Sequence, residues 1–160
     1  MRPLSIISTF VSLSICCVAS AQTSDFINPA GVYNYDGKTV KKNGETYGYF
    51  GTIKVVMLDS TRILMSFFVC KGAPSYNSGS FVDTLGYSNN LAIYHGDTSM
   101  PETMCKLTFL FSAKGISAEL FSDDLNSACG FGHAVDAHGF YKRAKGKMPG
   151  IKEILEDAEQ

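Results

Sequence analysis

Short apolar or alternating runs recur along this chain, and turn-forming Gly, Asn, Asp or Pro residues separate them. Such spacing is typical of the strands of an antiparallel sandwich or barrel. Asp36-Gly37 and Asn43-Gly44 are dipeptides preferred in two-residue hairpin turns, because both turn positions favour a positive φ. The pattern predicts an all-β fold in which both dipeptides are hairpin turns.

Roughly eight to ten strands are predicted between the turn signals. The runs at 52–58 and 63–69 are rich in β-branched and aromatic residues and form the predicted central hairpin. A loop rich in Gly, Pro and Ser is expected over residues 71–80. The predicted strands are 32–35, 38–42, 45–50, 52–58, 63–69, 81–87, 91–95, 104–111, 116–121 and 139–143.

The first and last predicted strands share a small-apolar-aromatic form. Gly31-Val32-Tyr33 near the start matches Gly139-Phe140-Tyr141 near the end. We expect these strands to pair and to close a small antiparallel β-barrel of about eight strands, which removes exposed edges. Coincidence in a chain rich in Gly and Tyr is the alternative.

The last residues predict a short C-terminal helix. Ile151, Ile154, Leu155 and Ala158 fall at i, i+3, i+4 and i+7, so they would form one apolar face with the acidic residues facing elsewhere. The expected organisation is a signal segment at 1–21, a β-barrel domain at 22–145 and a helical tail at 146–160.

The N-terminal residues resemble a cleaved secretory signal. Arg2 precedes an apolar run at 4–18, and Ala19-Ser20-Ala21 supplies small residues for cleavage. The run is shorter than the roughly 20 residues that span a bilayer, which argues against an anchor. We expect a periplasmic or secreted protein that starts at Gln22.

Composition then bounds the expected partners. Cleavage would leave 139 residues, enough for one domain with a real core. Arg2 leaves with the signal, so 13 Lys and Arg stand against 15 Asp and Glu, a net charge near −2. This balance predicts neither nucleic acid nor a membrane surface as partner.

Three cysteines follow the signal, and an oxidising compartment favours a disulfide between two of them. Cys105 opens an apolar run and Cys129 closes the irregular segment after the next run. A hairpin turning near Lys114-Gly115 would bring them together, so we predict a Cys105–Cys129 disulfide. Cys70 is expected to be a buried free thiol, with an intermolecular disulfide as the alternative.

Cys129 begins the segment CGFG at residues 129–132. Glycines on both sides of Phe131 suit a turn that the disulfide would pin while the ring enters the core. The alternative is a metal site made of Cys129, His133 and His138 with Cys105 or Cys70. Export favours the disulfide, so no metal and no cofactor are predicted.

Residues 129–135, CGFGHAV, are followed by Ala137, Gly139 and Tyr141. This ending resembles that of small exported bacterial β-domains, which finish on a CGFG segment and a Gly-x-Tyr strand. Residues 90–94, NLAIY, and 105–109, CKLTF, fit the same layout, so the resemblance covers residues 31–141. In general form, such domains are similar to periplasmic lysozyme inhibitors, compact barrels that block a muramidase cleft with a polar loop. The resemblance implies an exported barrel from a family without a settled activity, and the inhibitors are a distant likeness in form.

The sequence contains candidate catalytic residues, but no known catalytic motif includes them. A hydrolytic triad would draw on a serine, a histidine and an aspartate that meet in space, and no Gly-x-Ser-x-Gly elbow is present. A glycosidase would need two carboxylates at a fixed separation. We therefore predict no catalytic residues. The candidates are Ser78 or Ser80, His95, His133 or His138, and Asp83 or Asp136 for a triad, with Asp83, Glu119, Asp123 and Asp124 for a carboxylate pair.

Residues 73–80, APSYNSGS, have the Tyr, Ser, Gly and Asn content of protein-binding loops. Tyr76 would be the aromatic anchor, and Ser75, Asn77 and Ser78 would make polar contacts inside a partner's cleft. A plain flexible connection is the alternative.

The sequence thus predicts an exported, non-catalytic binding protein. Inhibition of a cell-wall hydrolase is the first hypothesis, because the predicted domain resembles the inhibitors in form. This is an argument by association. A small-molecule-binding barrel and a hydrolase are the alternatives. A carrier predicts an internal cavity, and an enzyme predicts a cleft that joins His133 to a carboxylate. The sequence predicts no oligomeric state.

Overall fold

The computed structural model describes residues 25–96, 105–122, 128–146 and 148–159. The predicted signal segment and its cleavage site lie outside these residues. The described part forms nine strands and one short helix, α1 (Ile151–Glu156). The strands are β1 (Gly31–Tyr35), β2 (Val40–Lys42), β3 (Glu45–Met57), β4 (Arg62–Gly72), β5 (Ser78–Ser88), β6 (Leu91–His95), β7 (Cys105–Phe111), β8 (Gly115–Ser122) and β9 (Gly139–Arg143).

Eight of these strands close into an antiparallel barrel in the order β1, β9, β8, β7, β6, β5, β4, β3, and β3 pairs back onto β1. The predicted pairing of first and last strand is confirmed, since Tyr33 lies opposite Arg143 and Tyr35 opposite Tyr141. The ninth strand, β2, pairs within the described sheet only with the start of β3. The hairpin of β2 and β3 therefore extends past the stretch of β3 that pairs with β1.

One of the two predicted hairpin turns is confirmed. Asn43 and Gly44 have φ values of 52° and 81°, and they turn the chain from β2 into β3. The hairpin predicted at Asp36-Gly37 is wrong, because β1 pairs with β3 and β9 and not with β2. Both sides of β1 are occupied by strands that local turn chemistry does not identify.

The two strands predicted on either side of Gly51 are one continuous strand, β3. Gly51 is required there by close approach, because a side chain would collide with the Phe68 carbonyl oxygen of β4. The break in pairing comes earlier, between Tyr47 and Phe50, where Gly48 has a φ of 94°. A bulge of this kind bends a strand and re-aims its side chains.

Packed aromatic rings fill the middle of the barrel. Phe67 of β4 is 1% exposed, and its ring centroid lies 5.3 Å from that of Phe81 and 5.7 Å from that of Phe109. The predicted entry of Phe131 into the core is confirmed, with its ring stacked 5.9 Å from Phe67. The fully buried residues of the same cluster include Tyr33, Ile53, Val55, Ile63, Met65, Val69, Leu107, Ile116, Ala137 and Tyr141.

Residues 25–30 cover one end of the barrel. Asn90 is 8% exposed, and its side chain accepts a hydrogen bond from the backbone of Ile27 (2.8 Å) and donates one to the carbonyl of Asp25 (2.8 Å). The Tyr87 hydroxyl also donates to the Ile27 carbonyl. The Asn90 side chain therefore satisfies backbone hydrogen-bonding groups of the segment that covers this end of the core.

The CGFG segment covers the opposite end. The predicted Cys105–Cys129 disulfide is confirmed, with 5.1 Å between the Cα atoms. It ties this segment to the start of β7, while Phe131 packs into the core between strands. Cys70 is a buried free thiol, as predicted. Each end of the barrel is thus closed by its own segment of chain.

The predicted C-terminal helix is confirmed, and α1 packs outside the barrel on β3 and β4. Ile154 is fully buried beneath it. The Asp157 carboxylate, just after the helix, accepts hydrogen bonds from Lys54 (3.0 Å) and Ser66 (2.6 Å). No helix in the described ranges is both long and apolar enough to cross a membrane.

The predicted apolar face of this helix is wrong. Of its four members only Ile154 is buried, whereas Ile151 and Leu155 are 48% and 51% exposed. Glu153 and Asp157 lie toward the barrel, because both carboxylates pair with Lys54 of β3. Helical spacing alone did not reveal a cation on the outer surface of β3.

The protein is expected to lose stability at alkaline pH because two tyrosines are buried in the barrel. Burial raises the pKa of Tyr33 to about 12 and raises that of Tyr141 further. Above pH 10 the unfolded chain releases phenolic protons that the folded barrel retains, so stability should fall between pH 10 and pH 12. The urea midpoint, measured from pH 8 to pH 12, checks this expectation.

Tyr141→Phe separates this effect from general alkaline damage. The Tyr141 hydroxyl is buried with no hydrogen-bond partner among the described residues, so its removal costs little at pH 7. The variant should lose stability less steeply above pH 10 than the wild type does. Identical slopes in the two proteins would refute the assignment.

Candidate binding surface

The connection between β4 and β5 is shorter and more firmly held than the sequence suggested. The loop predicted at 71–80 spans only residues 73–77, because β4 continues to Gly72 and β5 begins at Ser78. The Ala73 amide donates to the Thr46 carbonyl (2.7 Å), and the Tyr76 amide donates to the Gly72 carbonyl (2.9 Å). These bonds hold the turn against the ends of β3 and β4.

Tyr76, the predicted anchor, lies across this turn. Its hydroxyl oxygen accepts a hydrogen bond of 3.0 Å from the Thr46 amide of β3. Its φ is 51°, and the residue is 42% exposed. The side chain is therefore anchored through its hydroxyl as well as through the backbone, and part of the ring is exposed to solvent.

The other predicted contact residues join the turn to the CGFG segment. The Asn77 side-chain amide donates to the His133 carbonyl (2.9 Å), and the Gly132 amide donates to the Ser78 carbonyl (2.9 Å). Ser75 is exposed at the tip. Asn77 therefore supports the loop, while Ser75, Tyr76 and Ser78 are exposed to a partner.

Gly79 explains why loop and segment fit so closely. A side chain at Gly79 would collide with the ring of Phe131, which lies against this strand. Cys129, with a φ of 60°, and Gly130, with a φ of 72°, turn the chain so that the ring points inward. The disulfide, the Phe131 ring and the Tyr76 loop thus form one packed unit.

Sequence reasoning missed two exposed neighbours of Tyr76. Val40 of β2 lies opposite Tyr47 of β3, and Tyr47 lies opposite Gly72, where the loop begins. Val40 is 62% exposed and Tyr47 is 37% exposed. We call Val40, Tyr47 and Tyr76 the aromatic surface. The confirmed Asn43-Gly44 turn was the available signal, because it sets the register that places Tyr47 beside Val40.

Tyr47 and Tyr76 also interact electrostatically. The pKa of Tyr47 is raised, chiefly because its hydroxyl donates a hydrogen bond to the Glu45 carboxylate (2.8 Å), with a smaller contribution from Tyr76. Lys42 lies opposite Glu45 on the face that carries Val40 and Tyr47, whereas Lys41 lies on the other face of β2. The surface therefore combines aromatic area with one charge of each sign.

The candidate triad residues meet only in part. Asp136 and His138 are hydrogen-bonded to each other through Oδ1 and Nδ1, and the His138 amide donates to the same carboxylate (2.9 Å). Both are about half exposed. The contact that His133 makes with Asn77 uses its backbone carbonyl and not its ring. The pairing therefore shapes a turn and supplies at most two of the three members of a triad.

The other candidate catalytic residues lie far from one another. Asp83 on β5 and Glu119 on β8 are both exposed and have β6 and β7 between them, roughly 14 Å across a sheet. That spacing exceeds the roughly 5 to 9.5 Å of glycosidase carboxylate pairs. His95 is exposed at the end of β6, while Asp123 and Asp124 lie outside the described residues.

The sequence also left a metal site open as an alternative. Cys105 and Cys129 are joined to each other, so neither offers a thiolate. Across the four described ranges, no three His, Cys, Asp or Glu side chains gather as metal ligands would.

Comparison of the chain with protein-family models, with curated proteins and with solved structures finds no match. The resemblance to exported CGFG domains and to lysozyme inhibitors therefore stays a prediction. The aromatic surface and the fold that supports it are therefore the features that bear on function.

Proposed function

We propose that this chain is an exported, non-catalytic protein whose aromatic surface binds a protein partner, a cell-wall hydrolase. The observation that carries the proposal is the fixed, exposed ring of Tyr76. A described disulfide and a fold without membrane-spanning helices in the described ranges are compatible with export.

Rigidity is the first support. Binding costs free energy when side chains and loops must be ordered, and a surface that is already ordered avoids much of that cost. Tyr76 is held through its hydroxyl and its backbone, and its loop is bonded to both β3 and the CGFG segment. A tyrosine with this support is typical of the few residues that dominate binding energy.

Shape and charge are the second support. The hairpin of β2 and β3 extends past the part of β3 that pairs with β1 and carries Lys41 and Lys42. Hydrolases that cleave glycans use two carboxylic side chains in a cleft. Such a cleft therefore favours a binding partner with positive charge. This hairpin, which has one more lysine than glutamate over residues 40–47, lies beside the exposed tyrosine and suits that target.

The filled interior favours this proposal over a ligand carrier. Barrels that carry small molecules keep internal space for them. Here Phe67, Phe81 and Phe109 pack against each other across the middle of the barrel. The outer surface is therefore the better place to seek a partner.

A lysis assay with purified muramidases tests the proposal. Wild-type protein should slow the clearing of a cell-wall suspension at a 1:1 molar ratio to the sensitive enzyme. Tyr76→Ala should weaken inhibition by about 30-fold, the effect of losing a residue that contributes about 2 kcal/mol.

Phe121→Ala is the matched control, because Phe121 is 61% exposed on β8, away from the aromatic surface. It should inhibit as the wild type does, and circular dichroism should show that both variants are folded. Inhibition that survives Tyr76→Ala, or that falls equally in both variants, would contradict the assignment to this surface. A lack of inhibition across glycan-cleaving and peptide-cleaving hydrolases would contradict the partner class.

A further inference from the structure

A second feature lies outside the barrel, on β9 and the turn between β7 and β8. It is a shallow, open hollow of about 480 Å³. Its lining includes Phe140, Lys142 and Arg143 of β9, Lys114 of the turn and Lys145 beyond β9, with Asp36 at one edge. Within the described residues this hollow brings together more positive than negative side chains.

The floor of the hollow follows from the strand pattern. Tyr141 is fully buried and points inward, so its neighbours Phe140 and Lys142 point outward. Opposite Lys142 on β8 lies Gly115, and a Cβ atom there would come within 2.8 Å of the Phe140 ring. The missing side chain lets the ring lie over the β8 backbone with part of its surface exposed.

The charges around this ring are unbalanced. Lys114, Lys142 and Lys145 are exposed. The guanidinium of Arg143 lies on the other face of β9, over the Tyr33 ring, and donates to backbone carbonyls that include that of Asn28 (2.6 Å). The lysines therefore supply the positive charge of the hollow. This positive region belongs to a chain whose formal net charge is −1.

From these observations we infer that the hollow binds an anionic saccharide. The Phe140 ring offers an apolar face to a sugar ring, and the lysines meet its carboxylate, phosphate or sulfate groups. The open shape suits a unit of a longer glycan and not an enclosed small molecule. The net negative charge of the whole chain argues against a long nucleic acid or an anionic membrane, whose charge would extend beyond the hollow.

This inference is independent of the aromatic surface. Trigalacturonate, which carries three carboxylates, is the probe, with neutral tri-N-acetylchitotriose and inorganic phosphate as comparisons. Heteronuclear NMR titration of the mature chain should show saturable shifts centred on Phe140 and Lys142 with trigalacturonate alone. Lys114→Gln/Lys142→Gln should weaken binding by at least about tenfold, and Phe140→Leu should weaken it with the charge unchanged.

Lys41→Gln/Lys42→Gln is the matched control, since it removes the same charge from a different strand and should leave the affinity unchanged. Equal weakening by both double variants would overturn the proposal in favour of unspecific attraction. Equal binding of phosphate would reduce the hollow to a simple ion site, and equal binding of the neutral sugar would remove the role of the lysines. Stronger binding of single-stranded DNA or of anionic vesicles, or no trigalacturonate binding at millimolar concentration, would also overturn it.

Discussion

Replacement of Phe67 by alanine is expected to lower the free energy of unfolding by about 3 to 5 kcal/mol, the usual cost of truncating a buried phenylalanine. Phe67 is 1% exposed and lies where rings from three other strands and from the CGFG segment meet. Its ring centroid is 5.3 to 5.9 Å from those of Phe81, Phe109, Tyr141 and Phe131. The loss would therefore affect both the barrel wall and the CGFG segment. Urea unfolding followed by circular dichroism measures it.

Phe68 provides a matched control one residue along the same strand. It points outward, is 37% exposed and contacts Phe50 at 6.3 Å. Phe68→Ala should cost about 1 kcal/mol or less, because little buried area is lost. A similar cost at both positions would contradict the assignment of inward and outward faces on β4.

Loss of the disulfide is expected to have the next largest effect. Cys105→Ala/Cys129→Ala should lower the free energy of unfolding by about 3 kcal/mol, because the bond closes a loop with a sequence separation of 24. The segment released would include Phe131 and the carbonyl of His133 that holds Asn77. Hydrogen exchange should therefore quicken in the Tyr76 loop as well as in the CGFG segment.

Reductant distinguishes this bond from the free thiol. Dithiothreitol should destabilise the wild type and a Cys70→Ala variant by the same amount, and it should leave the double variant unchanged. Destabilisation of the double variant by dithiothreitol would show that another sulfur carries the effect. Exchange that stays slow in the Tyr76 loop after reduction would contradict its coupling to the disulfide.

Much of this fold could be predicted because local signals determine it. The Asn43-Gly44 turn, the continuous strand at 91–95 and the last strand at 139–143 follow from turn chemistry and alternation. The disulfide followed from the hairpin between β7 and β8, which needs no distant contact. The repeated Gly-x-Tyr form was sufficient to predict the pairing of β1 with β9.

The rest depends on contacts that are distant in sequence. The second partner of β1 is β3, so the Asp36-Gly37 turn does not form a hairpin. Glu153 and Asp157 turn toward the barrel because Lys54, about 100 residues earlier in the chain, lies there.

The candidate site could be predicted from the sequence only in part. Tyr76 was recognised from loop composition, and it is exposed as expected. Val40 and Tyr47 were missed because their exposure depends on how far the hairpin of β2 and β3 extends past the barrel. The support that Asn77 gives through His133 also needed the fold, since 56 residues separate them.

Photo-crosslinking in cells that export the chain tests the central claim most directly. A benzophenone-bearing phenylalanine at position 76 should give one discrete covalent adduct, and mass spectrometry should identify the attached protein as a cell-wall hydrolase. The same residue at position 121 should give no such adduct. Absence of an adduct at position 76, or the same adducts at both positions, would contradict the proposal that the aromatic surface is the binding site.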